Sequence, residues 1–130
     1  MALPATSRAR ALQIRTLTLA ERVILACRKM PRTDDARIIR GQLVRSATSV
    51  AANYRSACRA QTSKAFVAKI SIALEEADET LLWLKLAVRV GLAKASEVGP
   101  IAQEADEIVR ILVASRRTMR AKLEKAGAQQ

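Results

Sequence analysis

Apolar residues recur along this chain at steps of four and three, the repeat that places them on one face of an α-helix. Thr18 and Glu21 stand at capping-box spacing, and Leu19, Val23, Ala26 and Met30 follow as one stripe before Pro31. A proline there predicts the end of a first helix. Asp34 or Asp35 can cap a second, whose stripe reads Ile39, Leu43, Ser46, Val50, Asn53 and Ala57 in an unbroken heptad register. Thr62 or Ser63 opens a third helix with Phe66, Ile70, Ala73, Ala77, Leu81, Leu84 and Val88 on its core side, and Gly91 is its natural stop. Ser96 and Pro100 compete as the start of a fourth, which carries Ile101, Ala105, Ile108, Leu112, Ser115 and Met119. Four such helices on short links predict an all-α fold, an antiparallel up-down four-helix bundle. The expected layout is a basic N-terminal arm over 1–15, loose or the frayed start of a helix, the bundle over 16–125 and a flexible tail over 126–130.

Three features depart from a plain amphipathic pattern. Asn53 falls on the core stripe, so its amide is expected to be buried and bonded across the bundle, fixing register. Small residues crowd the middle of the second helix, and Gly41 is expected to serve the same close helix approach, since glycine costs about 1 kcal/mol inside a helix. The third helix carries a second apolar stripe of Ile72, Trp83, Leu86 and Val90, extended by Ala65 and Ala68. A helix apolar on two faces must be buried on two sides, and one bundle core covers only one. That stripe is the expected oligomer interface; the alternative has Trp83 lying flat under the loop near Gly91 within its own subunit.

Composition narrows the chemistry. The 130 residues include no His, which removes histidine acid–base catalysis and histidine metal sites together. Cys27 and Cys58 stand far apart, with neither disulfide-framework nor zinc spacing, and read as small buried hydrophobes in a reducing cytoplasm. Tyr54, Phe66 and Trp83 are the only aromatics, too few for the usual base-stacking modules. No uncharged run is long enough to span a membrane, and the N-terminal residues lack the apolar region of a secretory signal. No catalytic residue, metal site or cofactor is expected, because no nucleophile–base pair or glycine-rich phosphate loop is present.

The net charge is +11, and it is unevenly placed. Residues 1–60 hold 12 basic and 3 acidic groups, whereas 61–110 hold 6 and 8. On a helical wheel Arg37, Arg40, Arg45, Arg55 and Arg59 fall in one arc of about 140° opposite the apolar stripe. No acid interrupts them. Guanidinium groups donate paired hydrogen bonds that match phosphate, so this face is the expected nucleic-acid-binding surface, with Arg116, Arg117 and Arg120 as a second basic patch. The competing reading pairs these arginines with Glu75, Glu76 and Glu79 of a neighbouring subunit. The acidic cluster itself, with Asp78, reads as salt-bridge partners rather than a metal site, and Glu104 and Glu107 read the same way.

The central residues carry a resemblance. The run Arg45-Ser-Ala-Thr-Ser-Val-Ala-Ala-Asn53-Tyr-Arg55, and Glu76-Ala-Asp-Glu79-Thr80 followed by Trp83-Leu84, resemble the bacterial four-helix bundle proteins. That family includes proteins encoded in intervening sequences of large-subunit ribosomal RNA genes. The accessory variability determinant of diversity-generating retroelements is a relative. The match is dense over 45–92. It implies a bundle assembled into a homopentameric ring, without enzymatic activity. For the retroelement relative it implies binding of nucleic acid and of a reverse transcriptase through basic surface. Two departures touch surface charge: Ser56 and Cys58 stand where many members place Glu, and the residue before Glu75 is not the Lys that many carry.

The expected function is that of a non-enzymatic, cytoplasmic homo-oligomer that binds RNA or DNA backbone as an accessory protein. The partners are copies of itself, a nucleic acid, and a reverse transcriptase or other protein; no membrane partner is expected. The alternative is a pure structural scaffold whose arginines are engaged in inter-subunit salt bridges.

Overall fold

The computed structural model describes residues 6–128. Four helices account for nearly all of them: α1 (Ser7–Arg28), α2 (Asp34–Cys58), α3 (Ser63–Arg89) and α4 (Ala95–Ala128). Each packs on the next in sequence, α2 most extensively on α3, and α4 returns to α1 through the smallest contact. The arrangement is an up-down bundle around one core.

The helix ends follow from local chemistry. Thr6, Thr33 and Thr62 are N-caps in extended conformation, and each hydroxyl accepts from the backbone N–H three residues on, in every case an alanine. Asp34 and Asp35 lie in the first turn of α2, where carboxylates favour the positive end of the helix. Gly91, with φ +79°, ends α3. The Leu92 N–H bonds to the Ala87 carbonyl at 2.8 Å and the Gly91 N–H to that of Val88 at 3.1 Å, a Schellman motif that needs the left-handed residue. Pro31 follows α1 closely and prevents its continuation.

Three boundaries differ from the sequence reading. The expected arm over 1–15 is helix from Ser7 onward, capped by Thr6, while Thr18 lies exposed in mid-helix. The reason is the stripe itself: Leu12 and Thr16 extend it backward and both are buried. α4 starts at Ala95, and Pro100 sits in its second turn, where only the Ser96 carbonyl loses a donor. The helix also runs through 126–128, where a flexible tail was expected. Residues 1–5 and 129–130 of the expected arm and tail lie outside the described residues.

The core is built from Leu19, Leu43, Ile70, Leu84, Ile108 and Leu112, all essentially inaccessible. Fully buried alanines, among them Ala47, Ala73, Ala77 and Ala105, let the helices approach closely around them. At mid-height sits one polar link. The buried Ser46 hydroxyl donates to the Leu43 carbonyl at 3.2 Å, and the Thr80 hydroxyl lies 2.9 Å from Ser46 Oγ and 2.8 Å from the Glu76 carbonyl. This contact fixes the register of α2 on α3, the role expected of Asn53. Asn53 itself is only half-buried and turns back on its own helix, donating to the carbonyl and hydroxyl of Ser49, both at 2.9 Å. An amide long enough to reach its own preceding turn has no need of the core. Gly41 is exposed, and a Cβ there would meet nothing within 4 Å, so it serves no close helix contact.

Candidate nucleic-acid interface

The five arginines of the α2 face do not share one fate. Arg37, Arg55 and Arg59 are exposed and make no ion pair among the described residues. Arg40 is half-buried, with one guanidinium nitrogen donating to the Pro31 carbonyl at 2.7 Å. Arg45 leaves the face altogether. It reaches across to α3, pairs with Glu76 at 2.8 Å and with Glu79, and donates to Gln42 at 3.1 Å. The Trp83 indole N–H donates to the same Glu79 at 3.1 Å. Trp83 and Arg45 together hold the Glu79 carboxyl below its ordinary range. Arg45 stood at one edge of the predicted arc, which is the edge nearest α3.

A second clasp joins α1 to α4. Arg15 donates from Nε to Glu104 at 2.9 Å, adds a second bond to the same carboxylate, and approaches Glu107 at 3.4 Å. The Arg15 hydrogen bond lowers the pKa of Glu104. These carboxylates are salt-bridge partners, as the sequence predicted, and their partner is Arg15 of the same subunit. Lys29–Glu97 at 4.0 Å and Arg110–Asp106 at 3.0 Å are exposed and weak by comparison.

The up-down topology then sorts the remaining charge. The start of α1, the end of α2, the start of α3 and the end of α4 meet at one end of the bundle. That end carries Arg8, Arg10, Arg55, Arg59, Lys64, Lys69, Arg116, Arg117, Arg120, Lys122 and Lys125 against one described acid, Glu124. The two basic patches read from distant parts of the sequence are thereby brought to the same end of the bundle, on two helices, α2 and α4, that do not contact each other directly. Arg117 and Arg120 are exposed and Arg116 half-buried, on a stretch of α4 beyond Leu112 that buries no residue fully. A cleft of ≈ 530 Å³ opens here, with Arg8 and Lys122 at its rim and Tyr54, Cys58, Phe66 and Met119 among its walls. Burial pushes the Tyr54 hydroxyl well above its usual pKa, so it stays neutral.

Arg37 and Arg40 lie at the opposite end of α2. Arg37 is five full turns, about 27 Å, from Arg55, and the face between them is uncharged apart from Arg45's departure toward α3. Arg28 and Arg32 join Arg37 and Arg40 there around a second cleft. Sequence reasoning missed those two because they precede α2 and lie off its wheel. A search for basic residues flanking Pro31 would have found them.

The expected oligomer stripe is also divided. Ile72 and Val90 are exposed at 40% and 50%, whereas Trp83 and Leu86 are half-buried against their own core. Leu82 on α3, and Ile14 and Leu17 on α1, are more exposed still and were not anticipated. Cys27 is buried and free, and burial pushes its thiol up to about 11; Cys58 is free and half-buried rather than buried. Among the described residues no group of His, Cys, Asp and Glu could hold a metal ion, and no helix is long and apolar enough to cross a membrane.

Comparison with known proteins agrees with this architecture. Residues 12–114 match the family model of the 23S rRNA-intervening sequence protein. A crystal structure of a protein of unknown function from the S23 ribosomal protein family of Bacteroides thetaiotaomicron VPI-5482 matches with a TM-score of 0.76 and 30% identity. The match covers 81% of this chain and 97% of that one. No curated protein sequence matches the chain.

Proposed function

Since the chain belongs to the 23S rRNA-intervening sequence protein family, we propose that it is a non-enzymatic accessory protein that binds nucleic-acid backbone without reading sequence. The observation that carries this reading is the basic end: Arg55 of α2, Arg59 at its C-cap, and Arg116, Arg117 and Arg120 of α4 lie at one end of the bundle, and among the described residues none of the five has an acidic partner. The scaffold alternative is weakened by the same geometry, because Glu76 and Glu79 are already engaged by Arg45 of their own subunit. Unpaired arginines held at a fixed spacing supply the charge-assisted, bidentate contacts that phosphates accept.

The reading includes self-association. Ile14 and Leu17 flank a shallow groove between α1 and α2, and Ile72, Leu82 and Val90 crop out on α3, so two separate apolar faces need cover. Two different faces on one subunit suit the head-to-tail contacts of a ring; five copies is the number implied by the resemblance. A reverse transcriptase or another protein remains a partner by that resemblance alone.

The test is binding of a labelled oligonucleotide in about 100 mM salt, where backbone contacts still count. Arg55→Glu with Arg59→Glu should abolish binding and leave helix content intact. Arg55→Lys should weaken it less, since the charge remains and the fork is lost. Unchanged affinity in the double variant defeats the reading.

A further inference from the structure

The second cleft, at the corner where α1 turns into α2, has a composition of its own. It measures ≈ 360 Å³ and is lined by Arg28 from the end of α1, Arg32 from the link, and Arg37 and Arg40 from the first turns of α2. No carboxylate lines it. The two acids nearest in sequence, Asp34 and Asp35, belong to the N-terminal turn of α2, and Asp35 is engaged by the Thr33 hydroxyl. Arg28, Arg32 and Arg37 make no ion pair among the described residues. Arg40 is oriented by its 2.7 Å bond to the Pro31 carbonyl, which leaves its other donors free.

Four guanidinium groups around one small space repel each other, and no carboxylate lines the space to offset that. Behind them the wall is apolar, with Ile24, Met30 and Val44, and the Cys27 thiol stays protonated and adds no charge. A low-dielectric back wall strengthens whatever an anion gains in front of it. Gly41 forms part of the rim. It weakens α2 by about 1 kcal/mol relative to alanine, and it has no packing reason to be glycine, because a Cβ would point into open space. An open rim beside four unpaired arginines is room for a ligand.

We infer that this cleft is a phosphomonoester site that takes the phosphorylated end of a nucleic-acid strand. Two points favour an end over a continuous backbone. The cleft's volume of ≈ 360 Å³ suits about one nucleotide. Its four guanidiniums exceed what a singly charged phosphodiester requires and suit a terminal phosphate, which carries −1.5 to −2, while Ile24, Met30 and Val44 offer an apolar surface to the terminal sugar or base. The ligand class rests on the backbone-binding reading above, but the site's α2 arginines, Arg37 and Arg40, lie about 22–27 Å along α2 from Arg55, so the two can be tested apart.

The experiment compares short single-stranded oligonucleotides ending in a 5′-phosphate, a 3′-phosphate or hydroxyls only, each titrated by fluorescence anisotropy with the label on the opposite end. At least one phosphorylated end should bind about tenfold more tightly than the hydroxyl form, and which one it is identifies the end recognised. Arg32→Ala with Arg37→Ala should erase the ratio while binding persists; Arg55→Glu with Arg59→Glu should abolish binding of all forms alike. Gly41→Leu fills the cleft while adding helix propensity, and should erase the ratio with no fall in melting temperature. Equal affinities in the parent protein, or a ratio that survives Arg32→Ala with Arg37→Ala, overturn the inference. If no oligonucleotide binds, the backbone reading fails, and the cleft is judged by calorimetry with a nucleoside monophosphate. Heat seen in the parent and absent in Arg32→Ala with Arg37→Ala supports the site, and no heat in the parent overturns it.

Discussion

At the waist of the bundle, Arg45 and Arg15 each reach across to two carboxylates on a neighbouring helix, on α3 and α4 respectively. At the end where α2 finishes, Arg55 and Arg59 reach none. The residue type is the same, and Arg45 is exposed as Arg55 and Arg59 are, while Arg15 is half-buried. What differs is the acid across the groove: Glu75, Glu76, Asp78, Glu79, Glu104, Asp106 and Glu107 lie along the middle stretches of α3 and α4 and do not extend to the basic end. An arginine at the waist is a strut between helices. An arginine at the end is charge left available to a partner. The comparison teaches that the count of basic residues says little about binding until the acids that neutralise them have been located.

The largest expected effect comes from placing charge on the apolar stripe of α3. Leu86→Glu with Val90→Glu puts two charges on the expected contact stripe of α3. Burying such side chains at an interface contributes roughly 1.5–3 kcal/mol each when burial is complete, and less for Leu86, which its own core already half covers. Charges there would have to be desolvated. The parent should run as a large homo-oligomer and the variant as a helical monomer or dimer in light scattering after gel filtration. A monomeric parent removes self-association from the reading, and an unchanged oligomer moves the contact to the Ile14 and Leu17 face.

A smaller effect separates strut from free charge. Arg45→Ala should lower stability by about 1 kcal/mol or less, the range of partly exposed ion pairs, with oligonucleotide affinity unchanged. Arg55→Ala should do the reverse, leaving the urea midpoint in place and weakening binding with a shallower salt dependence. If Arg45→Ala weakens binding as much as Arg55→Ala does, the division between waist and end is wrong.

The smallest effect is in acid. Glu79, held down by the Trp83 N–H and Arg45, and Glu104, held down by Arg15, both have lowered folded-state pKa values. Groups depressed in this way contribute stability that is fully present above their unfolded value near 4.5 and is lost as pH falls through the lower folded values. Melting temperature should therefore fall below pH 4.5 more steeply in the parent than in Arg45→Ala, which lacks one of the two clasps. Parallel curves would mean that the clasp adds nothing to the folded state.

The bundle itself was legible in the chain. Steps of four and three need only local geometry to be read, so Leu43, Ile70, Leu84, Ile108 and Leu112 could be assigned to the core before any fold was known. Gly91 and Pro31 act through their own backbones and marked helix ends for the same reason. Even the early start of α1 was present in the pattern, since Leu12 and Thr16 continue the stripe that begins at Leu19 when read backward.

What the sequence left open were the relations between helices. A helical wheel places Arg45 and Arg55 on one face, yet it contains no neighbour, and Glu76 and Glu79 sit more than thirty residues away from Arg45 along the chain. Asn53 and Ser46 occupy equivalent stripe positions, and only the position of Thr80 on α3 decides that Ser46 holds the buried cross-helix bond. The placing of Arg55 and Arg59 at the same end of the bundle as Arg116, Arg117 and Arg120 likewise required the alternating direction of the helices, as the cleft of Arg28, Arg32, Arg37 and Arg40 required the turn after Pro31. Periodicity is a property of one helix and can be read along the chain. Charge pairing and pocket formation depend on distances between helices, and those exist only after the helices have packed.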